Sequence, residues 1–339
     1  SKLLKYCQTQ NINIYAITCY TNIKKLNFQK KKYNIPFTFC LSNIDDNLRF
    51  RKFITQKKFK LIYFLDFGSS SLKYVDIILK NNSGSFLPIA NKEMIIAGGP
   101  LLIKKIKFSN NILIPLDSEH FSLFRLKPYN NEIKKIYITA SGGPFYFKKN
   151  INIDKVKINR VLDHPKWKMG INNLIDSSNF INKILEIFEL SIIYQIDINK
   201  IDFLVSKEAF IHSYVIFEDN TISLNGFHND MLIPLIKPLT ELYNSKQIKF
   251  KSDNYFKLTN YQLDTFNDNR FKISKYFKTI KKFNHIMQIK FMILNNIAQK
   301  KYLSGSLAYA DIFEFIMSNI KKRENEVKIT NFNDILMYI

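Results

Sequence analysis

Glycine and proline are scarce in this chain, 9 of each in 339 residues. Their scarcity accompanies an abundance of Lys, Asn, Ile, Phe and Tyr, the residues of AT-rich codons, so composition carries a coding bias. Cysteine is nearly absent. Cys7, Cys19 and Cys40 are odd in number and confined to the first 40 residues. No CxxC or His/Cys spacing offers a zinc site, and reduced thiols in a reducing compartment fit best. No apolar run approaches the roughly 20 residues that cross a bilayer. Ser1-Lys2-Leu3-Leu4-Lys5 turns polar too soon for a signal peptide. Tryptophan occurs once. Acidic residues are outnumbered 28 to 51 by Lys and Arg, for a net charge of +23.

What is present is apolar enough to fold. Hydrophobic residues make up 46%, which excludes a disordered chain. The length suits two or three domains. The positive charge has two explanations, nucleic-acid binding or composition bias. The lysines are spread over the whole chain, which favours bias. A positive field also draws in phosphorylated substrates.

The first 115 residues alternate helical patterns with unalternating apolar runs: Asn13–Cys19, Leu61–Leu65, Ser85–Ala90 and Ile112–Ile114. Such runs read as strands covered on both faces, hence a doubly wound α/β domain. Ligands in such folds sit beyond the carboxyl ends of strands. Asn91-Lys92-Glu93 and Asp117-Ser118-Glu119 both follow strands directly. A second α/β domain is expected over 117–240, with strands at Ile136–Thr139, Phe203–Val205 and Tyr214–Phe217 and a helix from about Ser177 to Leu190. Residues 241–265 read as a linker, and 266–339 as a small helical domain.

Three polar clusters beside apolar sequence stand out, because polar groups there cost free energy unless satisfied. They are Asp117-Ser118-Glu119-His120, Asp176-Ser177-Ser178, and Asn182-Lys183 with Glu186. In an extended segment Asp117 and Glu119 face the same way. Paired carboxylates repel unless a cation or proton intervenes, and hard oxygen donors suit Mg2+ or Mn2+. A solvated strand end is the commoner reason for a DxE. Asn179, Asn182, Lys183 and Glu186 form a stripe at helical spacing, which a solvated face explains equally well. Ser141-Gly142-Gly143-Pro144 is a turn whose amides and hydroxyl can hold phosphate, or an ordinary turn. His164 to Gly170 contains the sole tryptophan, Trp167, as a half-buried anchor or a lid.

Taken together, these segments strongly resemble the 1-deoxy-D-xylulose 5-phosphate reductoisomerase family of the non-mevalonate isoprenoid pathway. The matching segments are Ala90-Asn91-Lys92-Glu93, Pro115–His120, Ser141–Phe145, His164–Gly170, Asp176-Ser177, Asn182-Lys183, Leu185-Glu186, Ile211-His212-Ser213 and Asp230-Met231. They fall in family order over nearly the whole chain. The resemblance implies an amino-terminal NADPH domain (1–116), a catalytic domain (117–240) and a carboxy-terminal helical domain, and a homodimer. It implies Mg2+ or Mn2+ on Asp117, Glu119 and Glu186. Ser141, Ser177, Asn182 and Lys183 would hold the substrate phosphate and hydroxyls. Lys92 and Ser118 would contact the substrate, and His164, Trp167 and Met169 would form a flap over it. Asn22, Asn91, Glu93 and Gly170 match cofactor contacts.

The implied partners are a small phosphorylated sugar and NADPH, with neither nucleic acid nor membrane. The implied location is the cytoplasm of a reduced-genome bacterium, or alternatively a plastid. There are departures. The family's opening GxTGxIG phosphate loop has no counterpart, as in an amino-terminally truncated chain. Tyr20-Thr21-Asn22 stands for Gly-Lys/Arg-Asn, Ile171-Asn172 for a basic pair, and Ser206 and Ala209 for a usual histidine and serine. Ile184 takes the place of a helix glycine. A weakly active or inactive family member, or a basic nucleic-acid-binding protein, would also accommodate the missing loop.

Overall fold

The computed structural model describes residues 2–126, 132–153, 156–161, 170–243, 261–320 and 329–339. They form two compact units. One comprises Ser1–Asn91, Lys104–Leu116 and Asp230–Ile248; the other comprises Lys92–Ile103, Asp117–Asn229 and Lys249–Ile339.

The first unit is built on parallel strands: β1 (Ala16–Cys19) with β2 (Phe37–Cys40), and β3 (Phe86–Ile89) with β4 (Ile112–Pro115). Parallel neighbours need crossover connections. The helices Ile23–Lys32, after β1, and Lys92–Phe108, after β3, supply them. The apolar run at 61–65 lies beside β3, where Ile62 and Phe64 N–H groups donate to Phe86 and Pro88 carbonyls at 3.0 and 2.9 Å. It makes isolated bridges rather than a regular strand. The short strand Phe37–Cys40, preceded by Pro36, is one that the sequence pattern does not single out. Its Phe39 side chain packs against the rings of Phe50 and Phe53.

The second unit holds a mixed sheet of β5 (Ile133–Ala140), β6 (Ile201–Val205), β7 (Ile211–Phe217), β8 (Ile222–Gly226) and β9 (Asp264–Thr265), in the order β8-β7-β5-β6-β9. Only β5 and β6 run parallel. Its helices include Ser118–Leu126, Ile171–Ser178, Ile181–Tyr194, His285–Leu303 and Ile312–Ile320. Among the described residues, no helix is long and apolar enough to cross a membrane.

Several expectations need correction. The carboxy-terminal helices do not stand apart from the catalytic segment. Phe291 packs edge-on against Phe188 at 5.8 Å, and Asn295 and Gln299 bond to Asp176, so burial and hydrogen bonding fuse them into one unit. Residues 230–243 fold with the first unit, where Tyr63 donates its hydroxyl to the Leu235 carbonyl at 2.7 Å. β9 lies inside the segment read as a linker, paired with β6. The single helix expected from Ser177 is broken at Asn179-Phe180, where Phe180 takes a left-handed φ of 68°. The stripe therefore starts at Asn182, while the Asn179 side chain accepts from the Ile181 N–H at 3.0 Å.

The helix Lys92–Phe108 is kinked at Gly99 (φ 50°, ψ −145°), just before Pro100. The proline has no N–H to give the Ile96 carbonyl four residues earlier. His285 supplies the missing donor through Nε2 at 2.8 Å. A Cβ on Gly99 would lie 2.0 Å from that nitrogen, in a backbone region reserved for glycine. Gly99→Ala is therefore expected to destabilise the chain by at least about 2 kcal/mol, strain and the lost bond together. Urea denaturation measures this. A stability unchanged from the parent would show that the kink relaxes without His285.

Candidate metal and substrate site

The helix Ile181–Tyr194 is apolar nearly all round, with Ile181, Ile184, Leu185, Ile187, Phe188, Leu190 and Ile192 buried. A helix of this kind is forced into the interior. It carries Lys183, Glu186 and Glu189 in with it, 7%, 2% and 1% exposed. Buried charges need partners, and the second unit provides them from two other places. Lys92 opens the helix after β3. Asp117 stands at the start of Ser118–Leu126, where its Oδ1 accepts from the Glu119 N–H at 3.2 Å. Asp117 and Glu119 are thus brought together by a helical turn, not by the extended segment expected.

The charges interlock. Lys92 Nζ donates to Asn182 Oδ1 at 2.8 Å and lies 3.4 Å from both Asp117 Oδ2 and Glu186 Oε1. Lys183 Nζ donates to Glu119 Oε1 at 2.8 Å and pairs with Glu186 Oε2. Asn182 Nδ2 also donates to Glu186, and the Ser118 hydroxyl to Glu119. One ligand oxygen each from Asp117, Glu119 and Glu186 lies within 4.8 Å of the other two. Burial opposes ionisation of Asp117, but Lys92, His120 and Lys183 outweigh it and hold the carboxyl far below its usual range. Burial holds Glu186 above its ordinary value despite Lys183, with Glu119 adding to the effect. Lys92 and Lys183 pay for burial, yet the surrounding carboxylates keep both firmly protonated. Three convergent hard oxygen donors fit Mg2+ or Mn2+.

Two members of this cluster carried no role in the sequence reading. His120 is fully buried. Its Nε2 bonds the Glu186 carbonyl at 2.9 Å, and its Nδ1 lies 3.4 Å from Glu189 Oε2 and 3.7 Å from Asp117 Oδ1. Burial disfavours the imidazolium, but Glu189 and Asp117 reverse this and raise its pKa to about 9. Their spacing was the available signal: His120 follows Asp117 by three, and Glu189 follows Glu186 by one helical turn.

Asp176, by contrast, does not join the carboxylates. It is held by Asn295 Nδ2 at 3.1 and 3.0 Å and by Gln299 Nε2 at 2.5 Å. Ser177 and Ser141 meet through glycine. Gly143 (φ 58°) packs so closely that a Cβ would sit 2.8 Å from the Ser177 carbonyl, and its N–H points to Ser141 Oγ at 3.5 Å. The buried His212 lies against the Phe227 ring, centroids 4.2 Å apart, and burial lowers its pKa.

Of the expected cofactor contacts, Asn22 and Asn91 lie in the first unit, and Glu93 and Gly170 in the second. Asn22 follows β1 and caps the helix Ile23–Lys32, accepting from the Lys25 N–H at 3.0 Å. Asn91 follows β3 and donates to the Gly68 carbonyl at 2.7 Å. Gly170 precedes Ile171–Ser178 in extended conformation, and Glu93 lies in the first turn after Lys92. Parallel strands whose carboxyl ends carry such residues fit a nucleotide. His164, Trp167 and Met169 lie outside the described residues.

Comparison with known proteins agrees with this geometry. A family model described as 1-deoxy-D-xylulose 5-phosphate reductoisomerase C-terminal domain matches residues 113–194. A protein of that enzyme name from Clostridium novyi (strain NT) is 32% identical over 257 residues, which are 75% of this chain and 66% of that protein. One from Wolbachia pipientis is 31% identical over 275 residues, 79% and 69% of the two chains. One from Pelagibacter ubique is 28% identical over 98% of this chain and 94% of its own length. The fold matches a crystal structure of DOX-P reductoisomerase in complex with NADPH, fosmidomycin and magnesium, with TM-score 0.85, 19% identity and 99% and 92% of the chains covered. It also matches the Zymomonas mobilis enzyme in complex with NADPH, with TM-score 0.82, 23% identity and 99% and 91% coverage. By these sequence relationships the chain belongs to the 1-deoxy-D-xylulose 5-phosphate reductoisomerase family.

Proposed function

We propose that this chain rearranges and reduces 1-deoxy-D-xylulose 5-phosphate to 2-C-methyl-D-erythritol 4-phosphate, using NADPH and Mg2+ or Mn2+. The observation that carries the reading is the convergence of Asp117, Glu119 and Glu186 beside Lys92 and Lys183 in a member of this family. Those three carboxylates would hold the metal, which when bound supplies Lewis acidity toward the ketone and hydroxyl oxygens. NADPH supplies the hydride, with Asn22, Asn91, Glu93 and Gly170 as its contacts.

The chain's own residues bind and orient. Lys92, at the start of the helix after β3, and Ser118, between Asp117 and Glu119, would contact the sugar. Ser141 and Ser177, joined by the close Gly143 contact, would hold the phosphate with Asn182 and Lys183. His164, Trp167 and Met169 would exclude water as a flap. The Trp167 emission on binding a phosphonate-hydroxamate inhibitor with Mg2+ reads that role. The expected assay result is substrate-dependent NADPH consumption that requires Mg2+ or Mn2+. A second reading, a degenerate member, is favoured by Tyr20-Thr21 beside Asn22 in place of Gly-Lys/Arg. Metal and inhibitor binding without turnover would support it over the first.

The homodimer belongs to the same proposal. β8 is an edge strand with Ile222 and Leu224 exposed, a surface a second copy could cover. The three free thiols suit a reducing compartment, bacterial cytoplasm or plastid.

A further inference from the structure

The turn Ser141–Pro144 is backed by the residues that follow it. Gly142 takes a left-handed φ of 82°, and a Cβ there would lie 2.7 Å from the Phe147 ring and 3.1 Å from the Tyr146 Cβ. The Tyr146 N–H donates to the Gly142 carbonyl at 3.2 Å. Whatever fixes Tyr146–Lys149 therefore fixes the turn. Arg270, 124 positions beyond Tyr146, does so. Its Nη2 donates to the Tyr146 carbonyl at 3.0 Å, and Nη1 to the carbonyls of Lys148 and Lys149 at 2.9 and 3.4 Å. Towards Asp268, Nε donates to Oδ1 at 3.0 Å and Nη2 to Oδ2 at 2.6 Å. A guanidinium has five N–H donors. All five are engaged within the protein, which leaves none for a substrate anion.

Asp268 is held in turn. Its Oδ1 accepts from the Arg270 N–H at 3.1 Å, its carbonyl accepts from the Ser274 hydroxyl at 2.8 Å, and Lys149 Nζ lies 3.4 Å from Oδ2. Aromatic packing repeats the link. The Tyr146 ring stacks on Phe266 at 5.8 Å and meets Phe180 edge-on at 5.9 Å. Phe180 immediately precedes the helix that carries Asn182 and Lys183.

We propose that Arg270 is a positioning residue for the substrate phosphate: held by Asp268, its guanidinium locks the Tyr146–Lys149 backbone and thereby places the Ser141 hydroxyl. The proposal rests on the phosphate role of Ser141 given above. Arginine keeps its charge at every accessible pH, so the clamp does not depend on a protonation state. Lysine would keep the charge but not the planar fork that reaches three carbonyls and a carboxylate at once. A group displaced by about 1 Å from its working position can cost about a hundredfold.

The test is steady-state kinetics on the full chain with NADPH and Mg2+. Parent, Arg270→Lys, Asp268→Asn, Ser141→Ala and the double variant Arg270→Lys/Ser141→Ala are compared. KM for the sugar phosphate is expected to rise roughly 10- to 100-fold in Arg270→Lys, with kcat and the affinities for Mn2+ and NADPH little changed. Asp268→Asn keeps the volume and loosens the guanidinium, so it should raise KM less. It carries the test where Arg270→Lys does not fold. In the double variant the two KM effects should overlap and fall short of their product, because both remove the same placed hydroxyl. A merely structural arginine would lower stability and the active fraction, hence kcat, and leave KM alone. Unchanged KM in Arg270→Lys and Asp268→Asn overturns the positioning role and leaves the phosphate role of Ser141 intact. So do KM effects that multiply in the double variant. A Ser141→Ala variant with the parental KM overturns the phosphate role of Ser141 itself, and the proposal with it.

Discussion

Glu186→Gln is expected to lower turnover about a thousandfold while leaving the chain folded. The carboxylate of Glu186 lies where Lys92, Lys183 and Asn182 converge, and it is one of three oxygen donors proposed for the metal. Glutamine keeps the volume but loses the charge that a hard cation requires. Metal polarisation of a carbonyl contributes several kcal/mol, and losing about 4 kcal/mol corresponds to roughly a thousandfold in rate. The fold should tolerate the change, because the glutamine keeps the volume and Asp117 and Glu119 still pair with Lys92 and Lys183. Steady-state kinetics paired with Mn2+ titration measures both effects. Activity and metal affinity equal to the parent would remove Glu186 from the metal site.

The second large effect concerns stability. Burial raises the Asp176 carboxyl from 3.8 to about 7, against the stabilising bonds from Asn295 and Gln299. The folded chain therefore keeps a proton there that the unfolded chain releases. The group's stabilising contribution is complete below about pH 4 and lost as pH rises toward 7, a swing of roughly 4 kcal/mol for three pKa units. Asp176→Asn removes the titration. Its new N–H faces Asn295 Nδ2 and Gln299 Nε2, and a turn of either amide brings it an acceptor, Asn295 Oδ1 or Gln299 Oε1, each buried without a hydrogen-bond partner. The variant should be more stable than the parent at about pH 8, with the gap closing toward pH 4. Thermal unfolding across that range checks it. Parallel pH profiles for the two proteins would mean that Asp176 is ionised throughout.

These two carboxylates show how far the sequence could be read. Asp117, Glu119 and Glu186 were found because each breaks an apolar pattern, and the strands around them were found because unalternating apolar runs belong in a parallel sheet. Asp176 broke its pattern in the same way and was grouped with them. Its side chain is instead claimed by amides more than a hundred positions away, which no local pattern reveals. The break at Phe180 was hidden for a related reason: a large apolar residue gives no local sign of a left-handed backbone, and its ring packs among Phe203, Phe266 and Phe271, all distant in sequence. His120 and Glu189 were visible as letters but lacked meaning until the helices supplied the distances. Residues 92–103 fall in the second unit and not the first because a single helix, kinked at Gly99, is shared between the two.

The ammonium of Lys183, seated between Glu119 and Glu186, and that of Lys92, between Asp117 and Glu186, imply an exchange of counterions. Three carboxylates and two ammonium groups leave this pocket with an excess of one negative charge, which favours a divalent cation over an anion. On the proposed function, a divalent cation sharing the same oxygens would turn the excess into one positive charge and release both lysines from neutralisation. They would then be available to a phosphorylated sugar. Metal and substrate should therefore bind in sequence and reinforce one another, with the lysines acting first as substitutes for the ion and then as hands for the anion.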